Sequence, residues 1–241
     1  MLNLGCAVNP VTGEKQLMLI SPSQSLELGR RYSPEVEKQL GGKIDNYRLQ
    51  NYIESVDRKI AGASGIAGLE FHYTAVNDES INAMALPGGY IFITRGMLEK
   101  LSSEHQLAAI LAHETVHVTA NHSALSMSNQ IGMEILMPAV IGENAPQGVA
   151  TVSQLGRRLL HLSHSRKHEL EADSFGLDYL AGAGYDPYAM IEVMEMLEQQ
   201  NQARPFEYFS THPSPSNRKE KLQEKIQTEG YRKVSQAGSD I

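Results

Sequence analysis

The segment LAHETVHVTANHSA, residues 111–124, places three histidines and one glutamate within ten positions of an otherwise largely apolar stretch. His113 and His117 are four residues apart, which puts them about 40° apart around an α-helix and therefore on one face. Two imidazoles and a carboxylate are costly in a core helix unless each finds a partner. A metal ion shared by the two imidazoles supplies one, so the segment predicts a helix that carries half of a metal site.

Glu114 lies near the same side of this predicted helix. In the pattern HExxH, its carboxylate can accept a proton from a water molecule without binding the metal, as in zinc proteases. The chain has one cysteine, Cys6, which excludes a multi-thiolate zinc site. We therefore expect one Zn²⁺ per chain, bound by histidine and carboxylate. The deformylase type of HExxH enzyme, which uses a cysteine ligand, is disfavoured because Cys6 lies at the terminus.

The third ligand has several candidates. His122 falls one residue early for the signature H-E-x-x-H-x-x-G-x-x-H, and Ala120 stands where that signature has glycine. We expect His122 to be a partly exposed residue at the helix end. In SRKHELEADSFG, residues 165–176, Glu169 and Asp173 are four apart and share a face. Either Glu169 binds zinc while Asp173 accepts a hydrogen bond from a ligating imidazole, or the segment is a solvated acidic helix.

The hydrophobic pattern predicts a mainly helical α+β fold. Helices are predicted around residues 26–32, over 45–61, 104–121 and 165–181, from Asp186 to about residue 200, and from Ser214 to Gly230. Two β-rich runs flank NDES and a third follows the turn LPGG, which predicts one small antiparallel β-sheet beside the HExxH helix. We expect Met190, Met194 and Met196 to pack on a core face.

Charge and hydropathy exclude two classes of partner. The formal net charge of −7 and the absence of a basic cluster argue against nucleic acid and against an anionic membrane surface. The longest apolar stretch, residues 131–150, is interrupted by Glu134, Pro138 and Glu143, so it predicts no transmembrane segment.

The N-terminal sequence MLNLGC has no basic region and no apolar run, so it cannot act as a signal peptide by itself. Leu-Gly-Cys is nevertheless how many bacterial lipoprotein signals end. We expect residues 1–22 to be an N-terminal segment left from a lipoprotein start, with a lipid anchor at Cys6 in a longer precursor. An ordinary cysteine explains this residue equally well. Residues 23–241 are expected to form the metal-binding domain.

Three motifs in order, HETVH, SRKHELEAD and STHPSPSNR, resemble the HtpX and CAAX prenyl protease type of zinc metallopeptidase, in its soluble bacterial periplasmic, BepA/LoiP-like branch. INAMALPGGYIFITRGML and GCAVNPVTGEKQLMLIS extend the similarity over nearly the whole chain. The resemblance implies a gluzincin-like zinc endopeptidase with a zincin-like domain at residues 23–241. It also implies unfolded or misassembled protein substrates, a role in envelope quality control, and a periplasmic or outer-membrane-associated location.

The resemblance also implies roles for single residues. Glu169 would be the third zinc ligand, with Asp173 beside it, and Glu114 would be the catalytic base. His212 and Arg218 are singled out in the third motif. His212 would approach the metal, where it stabilises the oxyanion of the tetrahedral intermediate or coordinates zinc in a latent state. In the second case, the chain would be a latent peptide-binding or chaperone-like envelope protein with a closed metal site.

Substrate contacts are expected at GGYIFITRG. If this is an edge strand beside the zinc helix, it can pair with an extended peptide. Asn82, Gly89, Tyr90 and Ile91 would then shape the cleft, although an ordinary buried strand fits the same pattern. One position departs from the resemblance, because His164 stands where an aromatic residue often precedes Ser-Arg. The remaining histidines are not expected to be ligands: His72, His105, His161 and His168.

Overall fold

The computed structural model describes residues 5–130, 152–203, 208–213 and 217–234. The helices are α1 (Pro22–Gln39), α2 (Tyr47–Ala63), α3 (Arg95–Leu98), α4 (Glu104–Thr119), α5 (residues 122–130), α6 (Val152–Leu160), α7 (Arg166–Gly182), α8 (Ala189–Ala203), α9 (Tyr208–Thr211) and α10 (Arg218–Glu229). The strands are β1 (Gly5–Val8), β2 (Lys15–Met18), β3 (His72–Val76), β4 (Ala83–Ala85) and β5 (Tyr90–Thr94). The prediction of a mainly helical α+β fold is confirmed.

Helix α4 lies at the centre of the core and packs against α2, α7 and α8. Residues 106–119 of this helix are buried on every side. Side chains of α8 close one side of the core, where Met190 and Met194 are 2% and 5% exposed. Met196 is partly buried and packs on the same cluster. The polar residues of HETVH are therefore held in a water-poor interior.

The helix that carries the motif is shorter than predicted. It starts as expected at Ser103, whose side chain accepts a hydrogen bond from the Gln106 backbone. It ends at Thr119 rather than at residue 121, because Asn121 adopts a left-handed conformation with φ of 58°. Asparagine tolerates this conformation better than most residues do. Asn121 interrupts the helix, and α5 starts at residue 122.

The three predicted strands form one sheet, but the sheet is mixed, so the prediction of an antiparallel sheet was wrong. The order is β3-β5-β4, with β3 parallel to β5 and β4 antiparallel to β5. The LPGG turn joins β4 to β5. Gly89, with φ of 96°, leaves no room for a side chain, since a Cβ would lie 2.1 Å from the Glu70 carbonyl oxygen. Strand β5 is thus central rather than an edge, and β4 is the edge nearer α4.

A second, two-stranded sheet was not predicted. Strands β1 and β2 form an antiparallel hairpin in which Cys6 pairs with Leu17. Its turn is held by Asn9, whose Oδ1 accepts hydrogen bonds from the backbone of Val11 and Thr12. Strands of four residues are too short for a clear alternating pattern, which explains the omission. The domain boundary at residue 22 and the lipid anchor at Cys6 stay predictions.

Within the described ranges, no helix has both the length and the apolar character needed to cross a bilayer. The apolar stretch at residues 131–150, for which the sequence predicts no span, lies outside the described residues.

A buried carboxyl on α2 makes stability depend on pH. Asp57 is 4% exposed, and burial raises its pKa to about 7, although a hydrogen bond from Tyr73 lowers it. The folded protein holds this proton more tightly than the unfolded chain does. Stability is therefore lost as pH rises from about 4 to about 7.

Replacing Asp57 with asparagine removes this titration. Compared with the original protein, D57N is expected to gain little stability at pH 3 and up to about 4 kcal/mol at pH 8, since each pKa unit corresponds to about 1.4 kcal/mol. Urea unfolding of both proteins at the two pH values measures the difference. An equal difference in the free energy of unfolding at both pH values would contradict the raised pKa of Asp57.

Candidate metal centre

Four buried side chains from three parts of the chain meet beside α4. Helix α4 supplies His113 and His117, α7 supplies Glu169, and the residue after α9 is His212. One ligand atom from each lies within 4.8 Å of the others. The two Nε2 atoms of the histidine pair are 3.0 Å apart. Glu169 Oε2 lies 3.5 Å from His113 Nε2, and Glu169 Oε1 lies 3.4 Å from His117 Nε2.

These distances fit a zinc ion. Ligands about 2.0 to 2.1 Å from a tetrahedral zinc are separated from one another by about 3.4 Å. Imidazole nitrogen and carboxylate oxygen are the donors that zinc takes where thiolates are lacking. Glu169 has the charge required, because the pKa of its carboxyl lies well below its ordinary value: burial opposes this shift, but His212, His113 and Arg218 outweigh it.

The ring of His117 is neutral, as a metal ligand must be. Burial is the main cause that holds its pKa well below the ordinary value, and the neighbouring imidazoles act in the same direction. His113 differs. Burial lowers the pKa of its ring, but hydrogen bonds to Asp173 and Glu169 together raise it to about 9. A metal ion therefore has to displace a proton from His113 at neutral pH.

Asp173 and Arg218 hold the outer side of His113. His113 Nδ1 lies 3.1 Å from Asp173 Oδ1, so Asp173 orients the ring. Arg218 Nε and Nη2 each donate to Asp173 at 2.6 Å, and Arg218 Nη1 lies 3.1 Å from Glu169 Oε2. Arg218 is 2% exposed. Burial opposes ionisation of Asp173, but the guanidinium keeps its pKa below the ordinary value.

Glu114 lies beside this group, with its Oε1 3.7 Å from His212 Nε2. Both of its carboxylate oxygens are buried and have no hydrogen-bond partner among the described residues. Burial raises the pKa of its carboxyl. An unpaired buried carboxylate is unfavourable unless a bound molecule completes its hydrogen bonds. The position therefore suits a group that exchanges a proton with a water molecule or a substrate.

His212 is held by its own short helix. Its backbone N–H donates to the Tyr208 carbonyl at 2.7 Å, and its ring stacks on the Tyr208 ring at 4.5 Å. His212 Nδ1 lies 3.2 Å from Glu169 Oε1, while Nε2 lies 3.7 Å from Glu114 Oε1. The ring thus lies between the carboxylate of the candidate ligand Glu169 and that of Glu114. Residue spacing alone did not exclude that His212 is a simple loop residue before a proline turn.

His122 corrects the prediction of a partly exposed residue. It is fully buried, and its Nδ1 lies 3.0 Å from His117 Nδ1. The left-handed Asn121 turns the chain, which brings His122 back against the preceding helix. His168, which was not expected to be a ligand, stacks on His122 with ring centroids 4.3 Å apart and an interplanar angle of 7°. An asparagine directly before the third histidine was the one sequence signal for this turn.

His164 lies next to this group of four side chains without belonging to it. Its ring stacks on His117 at 4.0 Å with an interplanar angle of 26°, and its backbone N–H donates to Thr211. At the position where the sequence departs from the resemblance, a flat imidazole ring therefore covers the candidate ligand His117.

The predicted substrate residues lie on or next to the mixed sheet. Asn82 is buried directly before β4, and Gly89 is in the turn before β5. Tyr90 stacks on His72 at 4.5 Å. Ile91 is buried with Ala85. Because β5 pairs on both sides, the backbone of Tyr90 and Ile91 is not available to an added strand.

Comparison with known proteins places these residues in a described family. Residues 47–226 match Peptidase family M48. The beta-barrel assembly-enhancing protease of Escherichia coli (strain K12) is 30% identical over 223 residues, which cover 87% of this chain and 45% of that protein. The mitochondrial metalloendopeptidase OMA1 of Arabidopsis thaliana is 34% identical over 179 residues, 74% of this chain and 36% of that protein. Metalloprotease LoiP of Escherichia coli (strain K12) is 25% identical over 178 residues, which cover 72% of this chain and 70% of that protein. The chain thus matches about half the length of the first relative.

Proposed function

Because the chain belongs to Peptidase family M48, we propose that it is a zinc-dependent endopeptidase that hydrolyses peptide bonds of protein substrates. The observation that carries this proposal is the buried, unpaired carboxylate of Glu114 beside three converging donor side chains. A module that only binds peptides has no use for such a carboxylate. In this proposal His113, His117 and Glu169 hold the zinc.

Zinc in this site supplies Lewis acidity, which makes water more acidic and polarises a substrate carbonyl. Two other side chains keep the ligands in place. Asp173 Oδ1, 3.1 Å from His113 Nδ1, is placed to accept the Nδ1 proton, which leaves Nε2 free to face the metal. Arg218 holds the carboxylates of Asp173 and Glu169.

Glu114 is the general base and then the general acid. Its carboxylate takes a proton from the attacking water and delivers it to the leaving amine nitrogen. Burial raises the pKa of Glu114, which increases its proton affinity. When both of its ring nitrogens carry a proton, His212 Nε2, 3.7 Å from Glu114 Oε1, is placed to donate a hydrogen bond to the carbonyl oxygen as negative charge develops there, while Nδ1 faces Glu169.

An extended substrate would pair with β4. The Thr94 N–H donates to the Asn82 carbonyl and the Leu86 N–H donates to the Tyr90 carbonyl, so these residues face β5. In an antiparallel pair the alternate residues face the other way. Ala83 therefore presents its backbone to the α4 side, where a peptide strand can be added. The predicted substrate residues support this edge strand. They lie directly before it (Asn82), in the turn that follows it (Gly89) and on the central strand β5 (Tyr90 and Ile91).

We infer unfolded or misassembled envelope proteins as substrates and the bacterial periplasm or outer membrane as the location, with a lipid anchor at Cys6 in the native precursor. The name of one relative, a beta-barrel assembly-enhancing protease, supports the substrate class.

A latent binding protein is the second candidate. His212 belongs to the group of atoms that could share one ion, and its Nδ1 lies 3.2 Å from Glu169 Oε1. If His212 binds the metal, the coordination sphere is closed and no position is left for a substrate. Such a protein would bind zinc and peptide without cleaving it.

Casein digestion with and without a chelator, together with zinc analysis, tests both candidates. The endopeptidase is expected to cleave casein and to lose this activity with its zinc. Zinc binding without cleavage would favour the latent protein, and a protein without zinc would contradict both. Glu169→Ala is expected to lose bound zinc, because a charged ligand is removed. Unchanged zinc content in this variant would remove Glu169 from the ligand set.

A further inference from the structure

The side of His117 that faces away from the metal begins a chain of hydrogen bonds. His117 Nδ1 lies 3.0 Å from His122 Nδ1. His122 Nε2 lies 3.0 Å from Glu171 Oε2. Asn9 Nδ2 then donates to the same Glu171 oxygen at 3.3 Å. The chain therefore runs from the metal centre to the N-terminal hairpin.

The direction of each hydrogen bond follows from the chemistry of the groups. If His117 binds the metal through Nε2, its proton is on Nδ1, which donates. His122 Nδ1 must then accept, so the His122 proton is on Nε2 and is donated to Glu171. A carboxylate can only accept. The Glu171 charge thus selects one tautomer of His122, and this tautomer accepts the proton of His117.

His122, in the middle of this series of hydrogen bonds, is closely packed. His122 is fully buried between α4 and α7, and the His168 ring lies parallel to it at 4.3 Å. Glu171, with 12% of its side chain exposed, is bounded by Lys167 Nζ at 3.7 Å as well as by Asn9. Lys167 also pairs with Glu14 of the same hairpin.

We propose that His122 and Glu171 are positioning residues for the ligand His117, and that Asn9 holds the outer end of this chain from the N-terminal hairpin. The proposal rests on the proposed zinc site. It assigns the hairpin a part in metal binding, although Asn9 lies outside the residues 47–226 that match the family. His113 is supported differently, since Asp173 accepts its proton directly.

Loss of these hydrogen bonds leaves the buried Nδ1–H of His117 without an acceptor and allows the His117 ring to turn. Such outer partners typically contribute about 10- to 100-fold to metal affinity. We expect His122→Phe, which keeps the ring shape, to weaken zinc binding by about tenfold or more. His122→Asn retains an acceptor near the position of Nδ1 and is expected to restore part of this loss. Glu171→Leu is expected to weaken zinc binding by a similar factor.

Asn9→Asp tests the hairpin. An aspartate keeps the acceptor for the turn N–H groups of Val11 and Thr12. Its second oxygen faces Glu171 and repels it from His122. We expect zinc binding to weaken by about threefold or more, less than in the His122 variant. The matched control is Asn46→Asp at the start of α2, where the side chain also accepts a backbone N–H, from Leu49.

Zinc dissociation constants from chelator competition are the main measurement. Thermal unfolding of the metal-free variants separates a folding defect from weaker zinc binding. His72→Phe, on the exposed side of β3, is the control for the aromatic substitution. Long-range proton–nitrogen NMR of the zinc-loaded protein is expected to show the His122 proton on Nε2 and to lose this signature in Glu171→Leu.

The possible outcomes are distinct. Zinc affinities of His122→Phe and Glu171→Leu within twofold of the original protein would overturn the proposal. If His122→Phe does not fold, Glu171→Leu and Asn9→Asp decide the question, because Glu171 is partly exposed and aspartate has nearly the size and shape of asparagine. An original protein that binds no zinc would refute the proposed function instead.

Discussion

Replacing Glu114 with glutamine is expected to reduce casein cleavage about 100- to 10,000-fold while zinc stays bound, which is the range that general acid–base catalysis contributes. The amide has nearly the shape of the carboxylate but cannot take a proton from water. Its polar atoms occupy the positions where Glu114 has no partner among the described residues, so the fold is preserved. Digestion rates at equal zinc content measure the effect.

The matched control is Glu104→Gln at the start of the same helix, where the carboxylate accepts from Tyr52 and Tyr185 at the edge of the core. This variant is expected to cleave casein normally. Full activity of Glu114→Gln would refute the proposed mechanism, and loss of zinc together with activity would point to a structural role.

Replacing Arg218 with methionine is expected to destabilise the metal-free protein by about 3 to 5 kcal/mol, as found when one member of a buried ion pair is removed. Arg218 is 2% exposed and is the cation beside the carboxylates of Asp173 and Glu169. Without it, both negative charges stay in the interior. Chemical denaturation of the metal-free variant measures the change in the free energy of unfolding.

A double variant separates charge from packing. Arg218→Met combined with Asp173→Asn is expected to recover part of the loss, because one of the uncompensated charges is also removed. Arg30→Met breaks an exposed pair with Glu27 and is expected to leave stability almost unchanged. An equal loss in the single and double variants would contradict the charge argument.

Local patterns predicted much of the fold, because helices and strands depend mainly on nearby residues. The apolar spacing identified α2, α4 and α7 within a few residues of their ends. The turn LPGG located β5, and Gly230, in the left-handed conformation with φ of 71°, ends α10 as expected. The predictions of an antiparallel sheet and of β5 as its edge strand were wrong, since pairing between distant strands leaves no mark in the spacing of either one.

The candidate metal centre was likewise predicted only in part from the sequence. Helical spacing alone brings His113 and His117 onto one face beside Glu114. Spacing left Glu169 undecided between a ligand and a solvated acid, and the packing of α7 on α4 brings its oxygens 3.4 to 3.5 Å from the histidine nitrogens. The proposed roles of these residues stay predictions until the variants are measured.

By itself, the sequence determined that two imidazoles and a carboxylate share one helix face and that their cost in a core calls for a metal. Only the tertiary structure decided which distant groups meet them. Arg218 lies about a hundred residues beyond the end of α4 along the chain. The position of His122 depends on the left-handed backbone of Asn121. Helical periodicity acts over a few residues, whereas buried charges must find partners wherever the packed chain brings them.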